Sequence, residues 1–351
     1  MHLKKLFKKP EVRAASAAVG AFLVVILVGL AILFLPSPAE VIEETFSPEP
    51  EVSFRHPLTG TLIDAPLPEL PQVFGVMIEN SIDAWPLTGI EEAFLVIEAP
   101  VEGGIPRFLA FYSSDQDVAK IGPVRSARPY YVDWNDELDA LYAHVGGSPE
   151  ALDKIAAVQT PDLNEFYQGE YYWRGAPPRY APHNVYTSTD NLTEALDEFS
   201  ELVPNYDAWL FADGAPSGLD RSLSIGLGGA YDVTWHYDAV LNRYLREQAG
   251  DTYPVEGDGL VMADNIIVLA TDISVIDSIG RRSIRTVGEG DALVVQNGNA
   301  ILATWQKEDR TSRLRFYRMD TGDEIVFNAG ITWIEVVDAL SRAETFSATS
   351  Q

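Results

Sequence analysis

Two arginines, Arg125 and Arg128, lie three residues apart in the stretch IGPVRSARP (121–129). Pro123 and Pro129 fix the backbone φ at their own positions, and Pro129 also favours an extended Arg128, so the loop is stiff. A guanidinium group is a planar set of donors that matches the oxygens of phosphate or carboxylate. Two of them on a rigid loop could therefore bind an anion.

The same arginines could instead stabilise the fold by pairing with acidic side chains. Asp and Glu number 52 against 25 Lys and Arg, a formal net charge of −27 at pH 7, so carboxylate partners are abundant. This charge argues against a nucleic-acid partner, whose phosphates it would repel. The sequence leaves both alternatives open, and the candidate acidic partners are Glu79, Glu98, Glu102 and Asp133.

The sequence EGG (102–104) adds two candidates to an anion site. Glu102 is the first residue of this sequence, and Arg107 follows shortly after it at the start of an apolar run. Its glycines either form a tight hairpin turn or let a ligand approach the backbone amides. Both residues could contribute to ligand binding.

The stretch HVGGSPEA (144–151) brings a glycine pair to a predicted helix start. A helix N-terminus binds anions through free backbone amides and the helix dipole, although Ser148 there could simply be an N-cap residue. The lysine and spacing of a P-loop are missing, so nucleotide binding is not expected. The ligand-binding candidates in this stretch are His144, Gly146, Gly147 and Ser148.

A loop without regular period, PPRYAPHNVYTS (177–188), carries His183 and Asn184. Together with His144 they could supply acid-base or hydrogen-bonding groups, and a structural hydrogen bond is the alternative for each. The 5 histidines show no metal-ligand spacing and the chain has no cysteine. We therefore expect neither a metal nor another cofactor.

Strands and helices must position these residues in an α/β-like N-terminal domain, residues 57–212. Short apolar runs predict buried strands at 73–79, 93–99 and 107–113. Apolar spacing predicts three helices, at 135–143, at 149–158 with Ser148 as N-cap, and at 190–202 with Ser188 or Thr189 as N-cap. This pattern is typical of a mixed sheet covered by helices.

After residue 222, short alternating runs and the turn sequences NGN (297–299) and DTGD (320–323) predict a mainly antiparallel β domain, residues 223–345. The two domains together predict the α+β class. One predicted hairpin carries side chains that either stack on a ligand or pair across strands: Trp235, His236, Tyr237, Asn242, Arg243, Tyr244 and Arg246.

An apolar run at 14–35 follows a basic tail at 1–13. As a helix it would be about 33 Å long, enough to cross a bilayer. The positive-inside rule then places the N-terminus in the cytoplasm and the bulk of the chain outside, behind a Pro/Glu-rich tether at 36–56. The sequence thus predicts a single-pass protein of the cell membrane; a cleaved signal peptide is the alternative.

The chain resembles the YerB-like family, bacterial extracytoplasmic proteins of two adjoining domains whose molecular function is not established. The resemblance implies an extracytoplasmic location. Many members look like lipoproteins, whereas this chain has no cysteine to carry a lipid. The matching stretches are HPLTG (56–60), VMIEN (76–80), APVEGGIPRFLAFY (99–112), KIGPVRSARPYYVD (120–133), LYAHVGGSPEAL (141–152), APHNVYTS (181–188), HYDAVLNRYLR (236–246) and ITWIEV (331–336).

A weaker similarity links the first strands and the arginine loop to the LytR-CpsA-Psr phosphotransferases, which attach glycopolymers to peptidoglycan from polyprenyl pyrophosphate carriers. The resemblance implies that Arg125 would bind pyrophosphate. In that family aspartates help to hold a metal, whereas Glu79 and Asn80 stand in the corresponding position here.

The sequence therefore predicts a membrane-anchored, extracytoplasmic protein of the bacterial cell envelope. We expect it to bind an anionic wall precursor, glycan or phosphate group, or an envelope partner protein, through the arginine loop. The alternative is a phosphotransferase that acts on polyprenyl-linked glycopolymers. The sequence does not decide whether the chain is an enzyme.

Overall fold

The structure, a computed structural model, describes residues 19–28, 30, 53–176 and 179–347. The chain divides into two units, Met1–Val52 and Ser53–Gln351. In the first unit residues 19–28 are helical, and no helix among the described residues is long and apolar enough to cross a membrane. The predicted tail at 1–13 lies outside the described residues, as do residues 14–18, 29 and 31–35 of the predicted transmembrane segment and 36–52 of the tether.

The described part of Ser53–Gln351 is rich in strands and has few helices. Its helices are α1 (Pro129–Asp136), α2 (Pro149–Val158) and α3 (Thr189–Ala195). Its strands are β1 (Phe54–Arg55), β2 (Leu62–Ile63), β3 (Val73–Glu79), β4 (Leu95–Pro100), β5 (Pro106–Ser113), β6 (Leu141–His144), β7 (Asp162–Asn164), β8 (Trp173–Arg174), β9 (Val185–Tyr186), β10 (Leu210–Ala212), β11 (Arg221–Ile225), β12 (Val233–Asp238), β13 (Arg243–Gln248), β14 (Asp251–Thr252), β15 (Met262–Ala263), β16 (Asn265–Ala270), β17 (Ile273–Val275), β18 (Arg282–Ile284), β19 (Gly288–Gln296), β20 (Asn299–Lys307), β21 (Arg315–Arg318), β22 (Val326–Asn328), β23 (Thr332–Val337) and β24 (Ala343–Ser347).

Ten strands form a central sheet in the order β21-β20-β19-β16-β23-β4-β5-β3-β6-β7. A second sheet has the order β14-β13-β12-β11-β24, with β15 paired to β13. One face of the central sheet, with Val76 and Ile78, belongs to the same apolar core as Trp235 of the second sheet. Its other face, with Met77, packs in a core that contains Trp134 of α1.

The central sheet takes strands from both predicted domains. β4 pairs in parallel with β23, and β23 pairs in parallel with β16, so an N-terminal strand lies directly beside a C-terminal one. The sheet-rich α+β class is confirmed, while the division of the chain into domains at 57–212 and 223–345 stays a prediction.

The helix predicted at 135–143 was wrong, because the structure has helix α1 earlier in the chain and a strand after it. Helix α1 begins at Pro129 and ends at Asp136, and β6 follows at Leu141–His144. Proline suits a first helical position because the N–H that it lacks would be unsatisfied there. β6 lies inside the sheet between β3 and β7 and is buried throughout, so its apolar run has no alternation that separates a strand from a helix.

Helices α2 and α3 begin at the predicted serine caps. Ser148 Oγ accepts a hydrogen bond from the Ala151 N–H at 3.3 Å, and Ser188 caps α3 in the same way. The helix predicted at 190–202 was too long, because α3 ends at Ala195 and a 3-10 turn continues only to Phe199. The predicted EGG turn joins the antiparallel strands β4 and β5.

Two buried carboxylates lie side by side at the junction of β4 and β23. Glu98 and Glu335 are register partners, and Arg246 Nη2 donates to Glu98 Oε2 at 2.6 Å. The Arg246 guanidinium lies 4.4 Å from the ring centroid of Tyr253, and Trp235 Nε1 donates to Glu335 Oε1 at 3.0 Å. Burial, and next the charge of Glu98, raise the pKa of Glu335 well above its ordinary value. Glu335 therefore holds its proton to a higher pH than a free glutamate does, while its neighbour Glu98 pairs with Arg246.

We expect Glu335→Gln to stabilise the protein at neutral and alkaline pH. In the unfolded chain Glu335 ionises near pH 4.3, roughly the value of a free glutamate, while in the folded chain burial keeps it protonated to a higher pH. The wild type therefore loses stability as the pH rises from the unfolded pKa through the folded one, and glutamine escapes that loss. The free energies of unfolding, measured by urea denaturation, should agree near pH 4. Above that pH the value for Glu335→Gln should exceed that of the wild type, by up to about 1.4 kcal/mol for each pH unit between the unfolded and the folded pKa.

The control for this prediction is Glu344→Gln, which changes an exposed glutamate of β24. Its stability should follow the wild-type dependence on pH. If the free energy of unfolding of Glu335→Gln also follows the wild-type dependence on pH, the pKa of the buried carboxylate is not raised and the description of the junction is wrong.

Candidate anion-binding site

The arginine loop, residues 121–128, runs along the end of β3 and is held there by its backbone. Glu79 N–H donates to the Pro123 carbonyl at 3.0 Å. Glu79 is the last residue of β3, and its register partner on β5 is Arg107. Register partners on antiparallel strands point to the same face of a sheet. The fold therefore brings Glu79, Arg107 and the side chain of Arg125 to one end of the central sheet.

The glycine stretch after β6 supports the arginine loop from its other side. Ala127 N–H donates to the Gly146 carbonyl at 2.9 Å, and Ser148 N–H donates to the Ala127 carbonyl at 3.3 Å. Gly147 forms a β-bridge with Ala127. Gly146 has a φ of +58°, and a Cβ there would lie 2.6 Å from the ring of Phe166, so only glycine fits without displacing the ring.

Both arginines of the loop have carboxylate partners, as in the structural alternative. Arg128 binds Glu102 in a bidentate manner, with Nε to Oε1 at 2.7 Å and Nη2 to Oε2 at 2.6 Å. Arg125 Nε lies 3.1 Å from Glu79 Oε1, and His183 Nδ1 lies 2.9 Å from Glu79 Oε2. Burial raises the pKa of Glu102, but the hydrogen bonds and charge of Arg128 outweigh it and hold the pKa below its ordinary value.

Arg107 is a buried cation without a carboxylate partner among the described residues. Its exposed fraction is 8%, and its Nη1 donates to the Ser126 carbonyl at 2.5 Å. Burial, and then the charges of Arg128 and Arg125, lower the pKa of Arg107 to about 10. A buried charge close to charges of the same sign is unfavourable unless an anion compensates it.

Tyr142 adds an unused donor beside these cations. Its hydroxyl is fully buried and has no hydrogen-bond partner among the described residues. Burial raises the pKa of Tyr142, and the nearby charges of Arg107 and Arg128 act in the opposite direction. Sequence reasoning missed Tyr142, although its position two residues before His144 in β6 places both side chains on one face.

Two predicted candidates lie outside this cluster and bind other parts of the fold. His144 is fully buried, with Nε2 2.7 Å from Asp162 Oδ1 and Nδ1 2.8 Å from the Gly146 carbonyl oxygen. Asn184 Oδ1 accepts a hydrogen bond from Arg174 Nη1 at 3.3 Å. The structure thus brings together five of the six titratable candidates: Arg107, Arg125, Arg128, Glu102 and His183. His144 binds Asp162 instead, although its ring lies 4.9 Å from that of Tyr142. No group of three or more metal-ligating side chains occurs among the described residues.

The hairpin of β12 and β13 agrees with cross-strand pairing rather than with a ligand site. Tyr237 and Tyr244 are register partners, and their ring centroids are 5.0 Å apart. Arg246 is completely buried against Glu98. These side chains therefore hold the two sheets together.

Two family profiles match the chain. The profile described as "Protein of unknown function (DUF3048) N-terminal domain" matches residues 58–201, and the corresponding C-terminal domain matches residues 223–334. These matches agree with the family resemblance found in the sequence.

Comparison with individual proteins gives the same result. The chain is 31% identical over 305 residues to the "Putative lipoprotein YerB" of Bacillus subtilis (strain 168), which covers 84% of this chain and 90% of the relative. It also matches the crystal structure of the YerB protein from Bacillus subtilis with a TM-score of 0.74 and 29% identity, over 84% of this chain and 100% of that one.

We expect Arg107→Gln to stabilise the ligand-free protein, because it removes a buried charge next to two cations and keeps an amide that can donate to the Ser126 carbonyl. The free energy of unfolding should rise by about 1–2 kcal/mol. Arg128→Gln is the matched comparison, and it should lower the free energy of unfolding because it leaves Glu102 without its partner. Equal destabilisation by both variants, measured in urea, would show that Arg107 serves the fold alone.

Proposed function

The chain belongs to the DUF3048 family, which includes YerB, and from this premise and the arginine cluster we propose that it is an extracytoplasmic protein of the bacterial cell envelope that binds an anionic ligand. The location is supported by the bacterial relative named "Putative lipoprotein YerB". The ligand is supported by one observation above the others: Arg107 is a buried cation with no carboxylate partner among the described residues, in a chain of net charge −27.

Anchoring is proposed for the apolar run at 14–35. The chain has no cysteine, so it cannot carry a lipid on a cysteine side chain as a lipoprotein does. Lys4, Lys5, Lys8, Lys9 and Arg13 precede the run and favour a cytoplasmic N-terminus with the bulk of the chain outside. A cleaved signal peptide stays the alternative.

Charge balance supports an anion rather than a cation as ligand. Glu79 and Glu102 pair with Arg125 and Arg128, whereas Arg107 forms no ion pair within the described residues and shares only the nearby charge of Glu102. An anion that reaches Arg107 would gain a charge-assisted hydrogen bond in a site that is largely shielded from water, where such a bond is strong. The unpaired hydroxyl of Tyr142 could donate to the same anion.

Titration calorimetry with inorganic pyrophosphate tests this function. We expect Arg107→Gln to weaken binding by about tenfold or more, because it removes the cation that has no other anionic partner. We expect Glu102→Gln to strengthen binding several-fold, because it removes the carboxylate that competes for Arg128.

The control for the titration is Arg318→Gln. Arg318 forms a surface pair with Asp320, with Nη2 and Oδ2 2.7 Å apart, so its loss changes the net charge equally without touching the cluster. If Arg318→Gln weakens binding as much as Arg107→Gln does, pyrophosphate responds to overall charge and the proposed site is wrong.

A phosphotransferase is the second candidate. The convergence of Arg107, Arg125 and Arg128 favours it, because guanidinium groups also stabilise the charge that develops on a transferring phosphoryl group. Incubation with a polyprenyl-pyrophosphate glycan and a peptidoglycan fragment, whose hydroxyl accepts the glycan phosphate, would distinguish the two. Release of polyprenyl phosphate with formation of the glycan–phosphate–peptidoglycan ester by the wild type, but not by Arg107→Gln, supports transfer. Binding of the glycan without release of polyprenyl phosphate supports a binding protein instead.

A further inference from the structure

A groove of about 710 Å³ lies beside the arginine cluster. Its lining includes Trp85, Lys120, Arg179, Tyr180, His183 and Glu256. His183 connects it to the cluster, because its Nδ1 lies 2.9 Å from Glu79 Oε2, and Arg125 Nε lies 3.1 Å from the other oxygen of Glu79. The groove and the cluster therefore meet at His183 and Glu79, although none of the three arginines lines the groove itself.

The polar side chains of the groove offer both donors and acceptors. Arg179 Nη1 donates to the Tyr186 hydroxyl at 2.7 Å, and Arg179 has no carboxylate partner within 53–176 and 179–347. Lys120 forms an ion pair with Glu256, which keeps a cation and a carboxylate at one place. Hydroxyl groups both donate and accept hydrogen bonds, so a surface of mixed polarity suits a ligand rich in hydroxyls.

Two aromatic side chains supply apolar faces in the same groove. Tyr180 lines the groove and is 67% exposed, so its ring is accessible to a ligand. Trp85 is partly buried and is held in place by the bond from its Nε1 to Asn80 Oδ1 at 3.1 Å. An aromatic face packs well against the apolar C–H face of a sugar ring, and the volume lies in the range of small-molecule sites.

We propose that the groove binds the sugar portion of an anionic saccharide whose charged group is held by Arg107, Arg125 and Arg128. This inference rests on the proposed function for the charged group alone. The groove itself supplies the contacts to the ring and to the hydroxyls. The charged group is a phosphate or a carboxylate, since both match guanidinium geometry.

Ligand-observed NMR titrations of the full chain with glucose 1-phosphate, glucuronate and inorganic phosphate test the proposal and distinguish the two charged groups. We expect Tyr180→Ala to weaken the binding of the preferred sugar by roughly three- to tenfold and to leave inorganic phosphate unchanged. Tyr180→Phe keeps the ring and should retain most of the affinity. Tyr167→Ala is the matched control, because Tyr167 is 81% exposed and lies outside the groove.

The outcomes separate this inference from the proposed function. If phosphate binds through Arg107 but Tyr180→Ala leaves sugar affinity unchanged, the groove is wrong and the anion site stands. If a sugar binds in a manner that depends on Tyr180 but not on Arg107, the groove stands and the anion site fails. If neither sugar binds at concentrations at which phosphate does, the saccharide proposal is overturned.

Discussion

The pairing of β4 with β23 places two buried carboxylates, Glu98 and Glu335, next to each other in register. Such a pair is tolerable only if one group is neutralised by a cation and the other stays protonated. Arg246 of the second sheet provides the cation, and burial keeps the proton on Glu335. The two sheets are thereby tied at one point, and the end of β4 is fixed. The turn that carries Glu102 comes directly after β4 in the chain, and the start of β5 with Arg107 comes after that turn.

Two buried arginines, Arg246 and Arg107, differ in how the fold compensates their charge. Arg246 is fully buried and has a carboxylate, an amide partner in Gln248 and aromatic rings around it, so its charge is compensated within the fold. Among the described residues Arg107 donates to one backbone carbonyl and forms no ion pair. It lies near two cations, Arg125 and Arg128, and near Glu102, whose carboxylate Arg128 already binds. The fold therefore compensates the charge of Arg246 fully and that of Arg107 only weakly. Such weak compensation is expected if a bound anion completes the site at Arg107.

Local sequence patterns predicted the parts of the fold that local physics decides. Apolar runs located β3 and β5, and serine caps located α2 and α3. Local patterns misplaced α1, because the buried run of β6 has no alternation. The carboxylate partners Glu79 and Glu102 were among the predicted acids. The contact of Glu98 with Arg246 arises from long-range strand pairing, which no local pattern reports. The same holds for Arg107, which forms no ion pair within the described residues, and for the Tyr142 hydroxyl, which has no hydrogen-bond partner among them.

Anion binding by Arg107 is tested most directly by a crystal structure of the full chain grown with pyrophosphate. We expect electron density for two linked phosphate groups, one of them in contact with Arg107 and the Tyr142 hydroxyl, with Arg125 and Arg128 turned toward it, and no such density in crystals of Arg107→Gln. Ordered water alone at Arg107, or a carboxylate of the chain bound to it in the wild type, would contradict the account.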